Sequence, residues 1–123
     1  MTEIEVTNSS LIIRIEGVHK LLALKSYLEV PLDHVVGIEL DPETARKGWS
    51  SKSFWGLRLG THLPGRLKAG RFHEGEGWSF WSVGDPHKAV LVHLNNERYE
   101  RMVLEVSDPP STVAAVKQAK GEL

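Results

Sequence analysis

Apolar and polar residues alternate with a period of two along most of this chain, which is the pattern of β-strands with one buried face. Residues 4–7 and 11–16 are two such segments, and the turn-forming string Asn-Ser-Ser at residues 8–10 separates them. This arrangement predicts a β-hairpin at the start of the chain. Because the pattern returns repeatedly, we expect a mainly β fold of about seven strands or more.

Further strands are predicted where β-branched, aromatic or aliphatic residues lie between Pro, Gly, Asn and Asp. These segments are residues 28–30, 35–40, 54–59, 69–73, 78–83, 88–94 and 98–106. Short polar turns join the last four segments into two hairpins, one around residue 75 and one around residue 96. Three glycines and a proline interrupt residues 60–70, which predicts an irregular crossing there.

The period changes near the C-terminus. Asp-Pro-Pro-Ser at residues 108–111 is typical of a helix start, since Asp caps free N–H groups and Pro is tolerated in the first turn. Val113 and Val116 follow at helical spacing, and Gly121 is a suitable stop. The pattern therefore predicts a short C-terminal helix. We also expect a short helix over residues 17–25 and a long exposed loop over residues 41–53.

The length and composition of the chain are those of one globular domain. The chain has 123 residues, of which 41% are apolar and 25% are charged. No internal repeat or linker suggests a second unit, so we expect a single domain over residues 1–123.

Several protein classes are excluded by residues that the chain lacks. It has no cysteine, which excludes disulfides, a thiol nucleophile and cysteine-ligated zinc. No apolar run approaches the ~20 residues of a membrane-spanning helix. The first ten residues contain two glutamates and no apolar signal segment. We therefore expect a soluble cytoplasmic protein.

Several segments, taken in order, resemble bacterial pleckstrin-homology-like (PH-like) domains. Residues 28–39 read Leu-Glu-Val-Pro-Leu-Asp-His-Val-Val-Gly-Ile-Glu, a strand, a proline turn and a second strand. Residues 56–72 contain Gly-Leu-Arg-Leu-Gly-Thr, Pro-Gly and Ala-Gly-Arg-Phe. Trp-Ser-Phe-Trp-Ser-Val, the last hairpin and Asp-Pro-Pro-Ser follow, so the resemblance runs from about residue 3 to residue 119.

The resemblance implies a PH-like half-open barrel of two nearly orthogonal antiparallel sheets, closed at one end by the C-terminal helix. The resemblance implies no catalysed reaction, because domains of this family serve as binding platforms for proteins, peptides or membrane headgroups. Fold alone does not establish which of these partners a given chain binds.

No motif in the chain predicts catalysis. Gly-Trp-Ser occurs at residues 48–50 and 77–79 without the second glycine of a nucleophile elbow. Gly-Glu-Gly at residues 75–77 lacks the third glycine of a dinucleotide-binding loop. None of the six histidines stands at the close spacing typical of zinc ligands. We therefore expect no catalytic residues, no cofactor and no metal.

Charge is distributed unevenly along the chain. Residues 46–73 contain seven Lys and Arg and no Asp or Glu, whereas the rest holds eight cations and all sixteen acids, for a net charge of −1. Four aromatic residues lie among the seven cations. Basic residues interleaved with aromatics suit an anionic, partly apolar partner surface. The candidate partner-binding residues are Arg46, Lys47, Trp49, Lys52, Arg58, Arg66, Lys68 and Arg71.

The leading hypothesis is a non-enzymatic binding or scaffolding module that mediates protein–protein interaction. Self-association into a homo-oligomer fits it, because an incompletely closed barrel leaves edge strands that can pair. One alternative is peripheral association with anionic lipid at the inner face of the membrane through residues 46–71. A second alternative is a small-molecule-binding domain or an unrecognised enzyme. We expect no nucleic-acid partner, because the chain is slightly acidic and lacks nucleic-acid-binding motifs.

Overall fold

The structure, a computed structural model, describes residues 2–15, 27–40, 58–63, 67–74 and 77–121, together with residues 43, 45 and 47. These residues form two β-sheets and a C-terminal α-helix, which confirms the prediction of a mainly β fold. The smaller sheet is antiparallel, with its strands in chain order. It contains β1 (Thr2–Val6), β2 (Ser10–Ile15) and β3 (Tyr27–Pro31).

The predicted first hairpin is confirmed, and a threonine closes its turn. The Thr7 hydroxyl oxygen accepts the backbone N–H of Ser10 at 2.9 Å, and the Thr7 N–H donates to the Ser10 carbonyl at 2.9 Å. In β2, Leu11, Ile13 and Ile15 are buried, because alternate residues of a strand point to the same face.

The larger sheet has six strands among the described residues, in the spatial order β4-β8-β9-β7-β6-β5. The strands are β4 (Val35–Glu39), β5 (Arg58–Leu63), β6 (Leu67–Glu74), β7 (Gly77–Val83), β8 (Ala89–Leu94) and β9 (Tyr99–Glu105). One short 3₁₀ helix (Leu32–His34) joins β3 to β4, and another (Pro86–Lys88) precedes β8. The two sheets share no strand, so the described strands do not close into a barrel.

The expectation of wholly antiparallel sheets is wrong for one pair of strands, since β7 and β9 are parallel. The predicted hairpins β6–β7 and β8–β9 are both confirmed. However, β8 lies on the far side of β9, so β9 is the strand that meets β7. The turn and the alternation of apolar and polar residues determine a hairpin. Which strand of one hairpin pairs with the next hairpin depends instead on packing between distant segments.

The irregular crossing expected over residues 60–70 is also wrong, because part of it belongs to an antiparallel ladder between β5 and β6. Gly60 and Gly70 face each other in that ladder, and Gly70 has a φ of 127°. Glycine weakens the sequence pattern of a strand without removing its backbone hydrogen-bonding groups. Of the strand expected over residues 54–59, residues 54–57 lie outside the described part of the chain.

The exposed loop expected over residues 41–53 is wrong where the structure describes it. Glu43, Ala45 and Lys47 are helical, and Ala45 is buried. Lys47 Nζ lies 3.3 Å from a Glu43 carboxylate oxygen, an i,i+4 ion pair that supports a helical turn. The helix expected over residues 17–25 lies outside the described residues.

Both faces of the larger sheet carry buried apolar side chains. The core between the two sheets includes Ile13, Phe80, Val92, Met102 and Val116. The opposite face of the larger sheet carries a second cluster that includes Ala45, Phe72, Trp81, Leu91 and Val103. The central strands are therefore buried on both faces, whereas antiparallel sheets commonly have one face exposed to water.

The predicted C-terminal helix is confirmed as α1 (Pro109–Ala119). The Asp108 carboxylate caps it by accepting the Ser111 N–H at 3.2 Å, and the first helical residue is a proline. Val116 is fully buried and packs α1 onto the core between the sheets.

The carboxylate of Glu105, at the end of β9, holds the segment that follows β7. Its Oε1 accepts the backbone N–H groups of Gly84 and Asp85 at 2.7 and 3.0 Å, where the chain leaves β7. Glu105→Ala leaves both donors without that acceptor, so we expect the free energy of unfolding to fall by about 1–3 kcal/mol. Urea unfolding measures the change. The exposed neighbour Glu100 is the control, and an equal loss in Glu100→Ala would contradict this role of Glu105.

Candidate functional site

The residues predicted to bind a partner fall into two groups in the structure. Those outside the described part of the chain are Arg46, Trp49, Lys52 and Arg66. The described ones are Lys47, Arg58, Lys68 and Arg71. The Lys47 side chain is 77% exposed and pairs with Glu43. Arg58 begins β5, opposite Phe72 of β6.

Lys68 is buried, with 6% of its surface exposed. Its ammonium nitrogen lies 3.9 Å from the ring centroid of Trp81 and 4.7 Å from that of Phe72. These distances are those of cation–π contacts, which stabilise a charge held away from water. Lys68 therefore packs with the second apolar cluster and is not part of an exposed basic patch.

Arg71 lies on the other face of the same strand, because it is three residues from Lys68. It is half-buried, and its positive charge acts to lower the pKa of Tyr99, the first residue of β9. Lys68 and Arg71 thus do not share a surface. Membrane association through residues 46–71 stays a prediction, and these two described cations do not strengthen it.

Tyr99 is the centre of an arrangement that the charge pattern did not reveal. Its side chain is only 5% exposed, and its ring packs against Phe80 with 5.6 Å between ring centroids. Its hydroxyl has no hydrogen-bond partner of good geometry in the described part of the chain. The positive charges of Arg71 and of the exposed Arg98 both act to lower the pKa of that hydroxyl. We call Arg71, Arg98 and Tyr99 the tyrosine site.

The register of the sheet brings the tyrosine site together. Arg71 of β6 is opposite Phe80 of β7, and Trp78 of β7 is the parallel partner of Tyr99. Arg71 and Tyr99 therefore lie on strands that only β7 separates. Nearby on the same face, the rings of His73 and Trp78 make an edge-to-face contact with centroids 5.4 Å apart.

Burial raises the pKa of the Tyr99 hydroxyl, because water no longer stabilises the phenolate. The positive charges of Arg71 and Arg98 oppose this shift, but burial has the larger effect and the pKa of Tyr99 stays above its ordinary value. The hydroxyl is consequently protonated at neutral pH and can donate a hydrogen bond.

A second candidate surface is apolar. The exposed large apolar side chains among the described residues are Tyr27, Val36 and Leu40. Tyr27 begins β3, an end strand of the smaller sheet, and Val36 lies in β4, an end strand of the larger one. Val36 is 61% exposed and Leu40, just after β4, is 48% exposed. We call residues 35–40 the β4 edge.

A cleft of about 330 Å³ lies between β1 and the segment around the start of α1. The Arg14 guanidinium in its wall donates to a Glu5 carboxylate oxygen at 2.8 Å. Since these opposite charges already pair, the cleft is a weaker candidate for a ligand than the tyrosine site.

Two further searches of the described residues gave negative findings. They contain no group of three or more His, Asp or Glu that could hold a metal ion. No helix among them has both the length and the apolar character to cross a bilayer.

Comparison with known proteins gives no independent indication of function, since no family model, curated protein or solved structure matches this chain. The described surface is therefore the basis for assigning a role.

Sequence reasoning identified Arg71 but missed Arg98 and Tyr99. The sequence shows that Arg98 and Tyr99 are adjacent at the start of a predicted strand, but this pair alone does not indicate a functional site. The missing information was that β7 and β9 are parallel neighbours, which no local pattern shows.

Tyr99→Phe tests whether the hydroxyl is unpartnered. The change removes a buried polar atom that makes no hydrogen bond of good geometry in the described part of the chain, so we expect the free energy of unfolding at pH 7 to stay constant or to rise by up to about 1 kcal/mol. Chemical denaturation measures this quantity. Tyr27→Phe, which removes an exposed hydroxyl that donates to Glu29, is the control. A loss above about 1 kcal/mol in Tyr99→Phe would show a partnered hydroxyl.

The raised pKa of Tyr99 also predicts a pH dependence. The Tyr99 hydroxyl has a higher pKa in the folded chain than in the unfolded chain, where its pKa is 10.0. Its contribution to stability is therefore fully present below pH 10.0 and is lost as the pH rises through the pKa of the folded state. Stability measured from pH 8 to about pH 11 should therefore fall more steeply in the native protein than in Tyr99→Phe. Parallel curves would contradict the shift.

Proposed function

We propose that this protein is a non-enzymatic binding module of PH-like architecture that acts through contacts with another protein. Two sheets packed around a common core, with a C-terminal helix after the last strand, support this architecture. The parallel pairing of β7 and β9 is a departure from the antiparallel sheets that the resemblance implies. The proposal therefore depends on a particular surface rather than on the fold.

The observation that carries the proposal is the exposed apolar character of the β4 edge. In the described part of the sheet, β4 is hydrogen-bonded to β8 on one side and is an end strand on the other. An end strand offers backbone N–H and C=O groups to a partner segment, and pockets or side chains beside it supply specificity. Val36 and Leu40 provide apolar contact at this edge.

The shape of the β4 edge favours a short extended segment of another protein over a second copy of this chain. The register with β8 shifts between Val35 and Gly37, which indicates a β-bulge at Val36. Bulges interrupt long edge-to-edge pairing and so disfavour strand pairing between copies. A short segment can pair beyond the bulge and cover the Val36 side chain.

The charge at this edge is also compatible with an uncharged partner segment. Glu39 is the charged residue of β4, and its carboxylate lies 2.8 Å from His93 Nε2 on the adjacent strand. A Cβ added at Gly37 would meet no atom within 4 Å, so the backbone is open there to a close approach. The expected partner segment is therefore extended and rich in apolar residues at alternate positions.

Selection from a displayed library of random peptides tests this function with the purified protein. We expect recovered peptides to alternate apolar and polar residues and to slow amide hydrogen exchange in residues 35–40. Val36→Lys should weaken their binding by tenfold or more, because a charge would be buried against an apolar side chain. Glu3→Gln, an equal change of charge at an exposed position of β1, is the control and should leave binding unchanged.

Two outcomes would contradict this function. Peptides that bind Val36→Lys as tightly as the native protein would show that the β4 edge is not the site. A monomer–dimer equilibrium that Val36→Lys abolishes, without any selected peptide, would assign the edge to a second copy instead. Sedimentation equilibrium detects the second outcome.

A further inference from the structure

We infer that the protein segment bound at the β4 edge is basic at its two ends, with a Lys or Arg on either side of an apolar middle. This inference rests on the proposed function and adds the charge of the partner to it. Its basis is the position of two exposed carboxylates, Asp33 and Glu39, which bracket β4 and leave the middle of the strand uncharged.

Acidic residues are concentrated in the part of the chain that contains β3 and β4. Residues 26–45 hold five Asp and Glu and no Lys or Arg, namely Glu29, Asp33, Glu39, Asp41 and Glu43. Of these, Glu43 is already paired with Lys47, and Asp41 lies outside the described residues. Because the next segment, residues 46–73, has the opposite charge, this acidity is local and attracts a cationic partner to this part of the chain.

Asp33 is the carboxylate at the start of β4. It is exposed in the 3₁₀ helix that leads into the strand, and no ion pair involves it in the described part of the chain. Two other charges at this end offset each other. Glu97 is hydrogen-bonded to the His34 ring, and Lys120 donates to a backbone carbonyl of the same 3₁₀ helix at 3.2 Å. Arg98 precedes β9, which β8 separates from β4, so Asp33 keeps a negative charge that a partner can pair with.

Glu39 is the carboxylate at the end of β4, and its side chain is 52% exposed. One of its oxygens lies 2.8 Å from His93 Nε2 on β8, and a carboxylate has lone pairs for further donors. A neutral imidazole leaves the negative charge of the carboxylate in place. The cation opposite His93 is Arg101 on β9, which β8 separates from β4. Glu39 can therefore accept a second hydrogen bond from a basic side chain of a partner.

The middle of β4 has no charge that would prevent pairing. End strands that avoid a partner carry charged residues, above all lysine, along the strand itself. Here the middle of the strand is Val36, Gly37 and Ile38, and the charges lie at its ends. Paired strands advance by the same length of about 3.3 Å per residue, so a partner meets both carboxylates with basic residues about six positions apart.

The same two carboxylates disfavour a second copy of this chain as the occupant. A symmetric pair of β4 edges places the same surface on both sides of the interface, with the start of one strand beside the end of the other. Carboxylates would then face carboxylates, and like charges on neighbouring strands are destabilising. A segment with basic ends replaces this repulsion with attraction.

Synthetic peptides that differ only at their ends test the inference on the native protein. The first, Lys-Thr-Val-Thr-Val-Thr-Lys, has its lysines at the spacing of Asp33 and Glu39, and two others have Gln or Glu in place of both lysines. All are acetylated and amidated, which removes their terminal charges. Amide shifts of residues 35–40 in the isotope-labelled protein measure binding at pH 8, where histidine is ordinarily neutral. We expect the lysine peptide to bind about two- to tenfold more tightly than the glutamine peptide, and the glutamate peptide to bind most weakly.

Two controls separate this bracketing from general attraction to an acidic surface. Lys-Lys-Thr-Val-Thr-Val-Thr has the same composition and charge but holds both lysines at one end, so it should bind more weakly than the first peptide. Sodium chloride at about 0.5 M should remove most of the preference for lysine over glutamine, because salt screens exposed ion pairs.

A double variant assigns the preference to the two carboxylates. Asp33→Asn combined with Glu39→Gln should bind the glutamine peptide as the native protein does and should lose the preference for lysine, with an unchanged melting temperature. Glu3→Gln combined with Glu100→Gln is the matched control, since it makes the same change of charge at exposed positions of β1 and β9. This control should keep the preference.

The possible results decide the inference and the proposed function separately. A lysine preference that high salt and the double variant both remove supports basic ends. Equal binding of the three peptides, a preference that the double variant keeps, or failure of the lysine peptide where library-selected peptides bind would overturn the inference and leave the peptide-binding function intact. If neither these peptides nor any library peptide shifts residues 35–40, the proposed function fails and this inference fails with it.

Discussion

The parallel ladder between β7 and β9 determines where the informative side chains of this protein lie. It makes Trp78 a neighbour of Tyr99 and Trp81 a neighbour of Val103, and it inserts β9 between β7 and β8. A strand in that position has a hydrogen-bonded neighbour on each side and apolar side chains packed on each face. Tyr99 and Glu105, at the two ends of β9, are buried although both are polar.

Burial on both faces also changes what the charged residues can do. Lys68 and Arg71 are three residues apart, and strand geometry sends them to opposite faces of the larger sheet. On one face the lysine ammonium lies against aromatic rings, where a cation is stabilised without water. On the other face the arginine approaches a buried hydroxyl. Charges that are close in the chain therefore have unrelated environments.

The two candidate surfaces differ in the interactions that they offer. The β4 edge presents backbone hydrogen-bonding groups and the apolar side chains of Val36 and Leu40, which suit an extended partner over several residues. The tyrosine site places a buried hydroxyl among positive charges that act to lower its pKa.

The features of the fold that could be predicted from the sequence are those that act over a few residues. The first hairpin follows from alternation around a polar turn, and the helix from Asp108 and the prolines after it. The ladder containing Gly60 and Gly70 was missed, because glycine hides the strand pattern while leaving the backbone free to pair. The helical turn at Ala45 was missed because its burial depends on the sheet beneath it.

The candidate site could be predicted only in part, because its residues are far apart in the chain. Alternation and turn residues by themselves determined that this chain forms β-hairpins followed by a capped helix, and charge counting singled out Arg71. Only the tertiary structure decided that Arg71 acts on the pKa of Tyr99, since β7 separates the strands β6 and β9 that carry these two residues. The physical reason is that turns and alternation depend on neighbouring residues, whereas the order of strands in a sheet depends on which distant apolar faces bury each other.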